Sequence, residues 1–144
     1  MIKVIHTPGH TQESTCFLLN DSTSTPVCLF TGDTLLVGDV GRSDCVGKEQ
    51  KMEEEAAIHF DSLQKIKSLD EKVRIYPSHG NGSSCGKNIG AAHFCDIATQ
   101  KEKNSLFKEE KKEDFVKNIC AGVTSPKHYS HVFNINISGA PSFK

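Results

Sequence analysis

One arrangement restricts this chain more than any other: three short apolar runs each end in a Pro or Gly turn carrying a metal-type side chain. The first runs from Ile2 to Ile5 and enters His6-Thr-Pro-Gly-His10-Thr11; the second runs from Val27 to Thr31 and enters Gly32-Asp33-Thr34; the third runs from Val73 to Tyr76 and enters Pro77-Ser-His79-Gly80. Apolar runs bounded by such residues read as strands followed by turns. Pro8 and Gly9 force a tight turn that can hold His10 in one orientation past the strand end. An imidazole held that way is a good transition-metal ligand. Asp33 follows a buried-looking strand, where a carboxylate is costly unless it binds a cation or caps a helix, and Gly-Asp-Thr alone leaves both open. His79 sits in a Gly-rich loop and means little by itself. Together, two imidazoles and a carboxylate on post-strand loops are the pattern expected where strand ends converge on a metal. The set suits iron, zinc or manganese, and the lack of thiolates within the motifs argues against a Cys-rich zinc site.

The rest of the chain can be read around these motifs. Cys16 to Leu19 predicts a strand that pairs with Val27–Thr31 through the polar turn from Asp21 to Pro26. Gly32 to Lys48, with Gly38, Gly41 and Gly47, reads as loop. A helix is predicted from Glu49 to Leu69, because Met52, Ala56, Phe60, Leu63 and Ile66 recur at spacings of four, four, three and three. Two shorter helices follow near 94–103 and 112–121, and the tail after Thr124 reads as polar and irregular. Strands, then loops, then helices predict an α+β class or a layered α/β arrangement. The 144 residues suit one domain, with sheet and metal loops in 1–90 and a helical extension in 91–144.

Charge and cysteine usage narrow the partners. The formal net charge of −1 lacks the basic excess of a nucleic-acid module. Lys101 to Lys117 holds six Lys against four Glu and one Asp, and reads as a solvated helical face. Cys16, Cys28, Cys45, Cys85, Cys95 and Cys120 form no C-x-x-C pair, and residues 1–20 hold no apolar leader. Reduced thiols and an intracellular setting, cytoplasmic or mitochondrial, follow as expectations. No apolar run approaches the ~20 residues needed to span a bilayer, so no membrane partner is expected.

In this order, His6-Thr-Pro-Gly-His10-Thr11, Thr31-Gly-Asp33-Thr34 and Tyr76-Pro-Ser-His79-Gly80 resemble the metallo-β-lactamase superfamily, and above all its glyoxalase II and persulfide dioxygenase branch. Gly41-Arg42-Ser43-Asp44 resembles the Gly-Arg-Ser/Thr-Asp segment of that branch. His79-Gly-Asn-Gly-Ser-Ser-Cys85-Gly-Lys87 resembles the H-G-A-G-S-x-C-G-K loop of persulfide dioxygenases, including those joined to rhodanese domains. Thr99 to Asn104 is similar to a family segment ending in asparagine.

The resemblance implies an αββα sandwich of two similar halves, of which this chain would be the C-terminal one. It implies metal ligation by His10 and Asp33, and by His79 where a second metal binds. Iron(II) is the expected metal, with zinc as the alternative. Glutathione persulfide or another glutathione conjugate is the implied substrate. By the same resemblance Arg42 is a candidate for the glutathione carboxylate, while Cys85 and Lys87 line a loop beside the site. Other roles stay open: a salt bridge from Arg42 to Asp44 or Asp39, a packed thiol for Cys85, a solvated charge for Lys87. No residue is assigned a catalytic role.

The family's H-x-H-x-D-H motif, which supplies the remaining ligands, does not occur here. His6 is expected to support its turn, His59 to lie exposed on the helix flank, and His93, His128 and His131 to have no role. A fragment or a diverged non-catalytic protein is therefore expected, inactive alone, and the start inside a strand favours truncation. An uncovered apolar sheet face would self-associate or accept a complementing half-domain. The competing functions are a sulfur dioxygenase, a glutathione thioester hydrolase of glyoxalase II type, and a non-catalytic half-domain.

Overall fold

Alternating burial along the second and third strands sets up a two-faced sheet. A computed structural model describes residues 1–44, 49–123 and 128–139, without the side chains of 49–51 and 129–130. Strands β1 (Ile2–His6), β2 (Thr15–Asn20) and β3 (Pro26–Gly32) form an antiparallel meander. After β3 come a small hairpin, β4 (Leu35–Leu36) with β5 (Asp39–Val40), and the long helix α1 (Glu49–Lys67). The chain then returns as β6 (Arg74–Pro77), parallel to β3, and β7 (Cys95–Asp96) pairs antiparallel with β6. The sheet order is β1-β2-β3-β6-β7. Helices α2 (Ile97–Lys103), α3 (Ser105–Lys108), α4 (Lys112–Cys120) and α5 (Tyr129–Ser138) complete the chain.

One face of the sheet carries the core. Cys16, Leu18, Leu29 and Ile75 meet Ala56, Phe60, Leu63 and Ile66 of α1, and Phe107, Phe115 and Ile119 close the cluster. Full burial of each large apolar side chain stabilises by roughly 1.5–3 kcal/mol. On the other face, the register aligns Val4, Phe17, Phe30 and Tyr76 in one row across four strands. Phe94 stacks on Tyr76 at 5.5 Å. Val4 is 63% exposed, and Phe17, Phe30 and Phe94 are 45–49% exposed. A five-stranded sheet with α1 and α4 packed on one face is the expected α+β class, half of a layered sandwich, and the expected uncovered apolar face is present.

Several details differ from the sequence reading. The stretch read as loop from Gly32 to Lys48 contains the β4–β5 hairpin, because Leu35, Leu36 and Val40 are drawn into the core. Cys45, Gly47 and Lys48 lie outside the described residues. The sheet runs past position 90 through β7, and the helix read near 94–103 starts only at Ile97, where the Asp96 carboxylate accepts from Thr99 N–H at 2.7 Å. The tail read as irregular contains α5. Its Val, Ile and Asn residues are weak helix formers, so neither propensity nor a buried face announces it. Among the described residues, no helix is long and apolar enough to cross a membrane.

Candidate metal centre

The His10 turn is clamped onto α1. Ser62 Oγ donates to the Pro8 carbonyl at 2.7 Å and Lys65 Nζ to the His6 carbonyl at 2.8 Å. Gly9, at φ +137°, lies so close to the helix that a Cβ there would stand 2.4 Å from His59 Cα. His6 supports the turn, as expected, with Nε2–H donating to the Gln12 carbonyl at 2.9 Å.

His59 lies beneath this turn and is fully buried, not exposed as expected, because the turn and α4 cover its side of the helix. Its Nε2–H donates to the Thr34 carbonyl at 2.8 Å, which leaves Nδ1 to accept from Ser43 Oγ at 3.2 Å. Burial holds the imidazole neutral and lowers its pKa to about 4, against the opposing pull of the Thr34 carbonyl. This single ring ties together the helix and two of the loops that carry the motifs.

His10 and Asp33 meet above it. His10 Nδ1–H donates to the Arg42 carbonyl at 2.7 Å, which directs Nε2 at Asp33 Oδ2, 3.3 Å away. Gly41 permits the approach: a Cβ there would stand 1.9 Å from the Asp33 carbonyl oxygen and 2.9 Å from His10 Nδ1. On the other side, Ser78 Oγ donates to Asp33 Oδ1 at 2.5 Å and His79 Nδ1 at 2.6 Å. Burial opposes ionisation of Asp33, but the hydrogen bonds from Ser78 and His79 and the charges of both imidazoles outweigh it. The carboxyl is held below its usual range.

The third loop is anchored by Asp39. This carboxylate is 3% exposed, and its Oδ2 accepts from Lys87 N–H at 2.5 Å and Asn88 N–H at 2.6 Å. Asn104 is buried and donates to the Asp39 carbonyl at 3.0 Å. Further back, Arg42 N–H donates to the Cys85 carbonyl at 2.9 Å. Donor atoms of Asp33, His79 and Cys85 all lie within 4.8 Å of one another.

The metal candidates read from the sequence, His10, Asp33 and His79, are thus brought together. The substrate candidates are divided. Cys85 is at the cluster. Arg42 is engaged with Asp44, with Nε 2.9 Å from Oδ1 and a second contact from Nη2 to Oδ2. Lys87 is exposed, in keeping with the solvated charge that was its alternative, and its Nζ also donates to the Ile119 and Ala121 carbonyls and caps the C-terminus of α4. A cleft lined by Arg42, Ser84, Gly86, Lys87, Gly122 and Val123 opens there. Sequence reasoning missed His59, Ser78 and Asp39. Adjacency to His79 could have found Ser78; no local signal marks the other two.

The donor set fits a cation. The Nδ1 proton of His10 is committed to a carbonyl, so Nε2 turns toward a carboxylate oxygen either as a second N–H or as a lone pair. The lone pair would leave two acceptors 3.3 Å apart, an arrangement that a shared metal ion relieves.

No family model matches the chain. It is 37% identical over 112 residues to a probable polyketide biosynthesis zinc-dependent hydrolase of Bacillus subtilis, covering 77% of this chain and 41% of that protein. It is 32% identical over 107 residues to the mitochondrial hydroxyacylglutathione hydrolase of Saccharomyces cerevisiae, covering 73% and 36%. A crystal structure of a metallo-β-lactamase from Staphylococcus aureus superposes with a TM-score of 0.80 at 36% identity, covering 91% of this chain and 38% of that one. That of ETHE1 from Myxococcus xanthus gives 0.64 at 28%, covering 88% and 47%. The chain therefore spans about two fifths of the length of the curated relatives it matches.

Proposed function

This chain belongs to the metallo-β-lactamase superfamily, and on that premise we propose that it carries the His10, Asp33 and His79 side of the metal centre of a persulfide dioxygenase. Such an enzyme oxidises glutathione persulfide to sulfite and glutathione. The observation that supports this is the convergence of two imidazoles on the two oxygens of one carboxylate, at 3.3 and 2.6 Å. Iron(II), the metal of this reading, supplies the redox chemistry toward O₂, whereas zinc in a hydrolase supplies a Lewis acid.

The chain's own residues hold and orient the substrate side. His10 is fixed by the Arg42 carbonyl, and Asp33 stays ionised through Ser78 and His79. Arg42 exchanges Asp44 for a glutathione carboxylate, which its planar fork suits. Lys87 acts indirectly, by fixing the end of α4 against the cleft. The H-x-H-x-D-H ligands come from a complementing half-domain. Residues 1–90 and 91–144 form one partial domain, in the cytoplasm or mitochondria.

The second reading, hydrolysis of a glutathione thioester, is favoured by the relative named hydroxyacylglutathione hydrolase. The His79–Lys87 loop favours the dioxygenase. The test is elemental analysis after anaerobic loading with iron(II) or zinc. The expected result is bound metal that is lost in Asp33→Ala. A wild-type chain that binds neither metal, or an Asp33→Ala chain that binds as much, overturns the proposal. With a complementing half-domain supplied, persulfide-dependent O₂ uptake then supports the dioxygenase, and release of thiol from an S-acyl glutathione selects the hydrolase.

A further inference from the structure

We infer that Cys85 is itself a ligand of the bound metal, joining Asp33 and His79; the inference rests on the metal-binding reading above. Three observations carry it.

The first is proximity. Donors attached at about 2.0–2.3 Å to one tetrahedral centre stand roughly 3.3–3.8 Å apart. The Asp33, His79 and Cys85 donors lie within 4.8 Å of one another, a span that one bound ion would draw in. Among the described residues, Cys85 is the cysteine that joins such a group. Cys16 is sealed in the core, where burial raises its thiol pKa, and burial does the same to the half-buried thiols of Cys95 and Cys120.

The second is positioning. Cys85 is held by its main chain on both sides. Its carbonyl accepts from Arg42 N–H at 2.9 Å and its N–H donates to Ser83 Oγ at 3.1 Å. The next residue, Gly86, is wedged: a Cβ there would meet Ile89 Cγ1 at 2.8 Å and Asp39 Oδ2 at 2.9 Å. Beyond it, Lys87 and Asn88 donate to Asp39. A packed thiol of no consequence does not require this scaffold, whereas a ligand does.

The third is the chemistry of the donor set. A thiolate adds negative charge and a soft donor beside Asp33 and His79, and its proton passes to solvent on binding. An imidazole, a carboxylate and a thiolate suit zinc or cobalt(II), and three donors leave a position open to a ligand from a complementing half-domain.

Cobalt(II) titration of the 144-residue chain tests the inference, followed by absorption spectroscopy. The expected spectrum has visible bands of a four-coordinate ion and a near-ultraviolet sulfur-to-cobalt charge-transfer band. In Cys85→Ser the charge-transfer band disappears and affinity falls by at least the roughly 10- to 100-fold typical of lost support around a metal. Cys120→Ser keeps the band. In a second measurement on the unsubstituted chain, zinc slows alkylation of Cys85, read by mass spectrometry. Cobalt bound in an Asp33-dependent way without the band, or a band that survives Cys85→Ser, overturns the inference and leaves the metal-binding reading standing. A chain that binds no cobalt or zinc overturns both.

Discussion

His10 and His79 reach the same carboxylate from unlike surroundings. His10 is 9% exposed, on a turn fastened to α1 by two hydrogen bonds and by the contact of Gly9 with the helix. The His79 side chain is 42% exposed and sits at the start of an exposed loop, where its ring nitrogen hydrogen-bonds to Asp33 itself. The first imidazole is placed by the core. The second is placed by the carboxylate itself. A ligand fixed in advance costs little ordering entropy on binding, and one held by a polar contact at the surface can adapt to the ion. Stability is therefore concentrated on one side of the site and adjustability on the other.

Substituting glycines on the two sides measures that contrast. Gly9→Ala forces a Cβ against the helix backbone at a positive φ, so a loss of about 3–5 kcal/mol is expected in urea denaturation, combining overpacking with left-handed strain. A Gly9→Ala chain as stable as its parent would mean that the turn is not clamped at all.

The next largest effect concerns His59. Its folded pKa of about 4 lies below the ordinary 6.5, so the unfolded chain binds the extra proton first as pH falls. Its contribution is fully present above pH 6.5 and is lost as pH falls through about 4, a decline of roughly 3 kcal/mol. Denaturation at a series of pH values should show this slope, and His59→Gln should flatten it. An unchanged slope would remove His59 from the clamp.

On the exposed side, Gly82 has φ +94°, and a methyl group added there would meet nothing within 4 Å. Gly82→Ala is expected to cost only about 1–2 kcal/mol from backbone strain and to leave metal binding intact. A loss as large as that of Gly9→Ala would erase the contrast between the two sides.

The sequence makes the three motifs legible because each is local: a strand, a turn residue and a ligand within a few positions. The core face of α1 is legible for the same reason, as Ala56, Phe60, Leu63 and Ile66 announce their period and are buried. The uncovered sheet face is legible too, through the half-sandwich that the motifs imply. What escapes the sequence depends on partners far along the chain. His59 looks like a flank position until the turn of residues 8–10 is laid over it, and its partners Thr34 and Ser43 are 25 and 16 residues away. Asp39 looks like a loop acid until Lys87 and Asn88 arrive from 48 and 49 positions downstream. Lys87 reads as the surface charge that it is, but nothing local reveals the end of α4 that it caps. α5 escapes because its composition favours neither a helix nor a core.

The main chain of Arg42 receives His10 through its carbonyl and offers its N–H to Cys85. This makes residue 42 a relay. A change in the chemical state of the sulfur, such as oxidation or capture by an electrophile, that displaces the Cys85 backbone reaches the imidazole through the two peptide groups flanking one Cα, with no side chain in the path. The signal is blind to the identity of residue 42, since every amino acid with an N–H carries it, and proline alone would silence it. Substitution of the guanidinium leaves this link between the two motif loops intact.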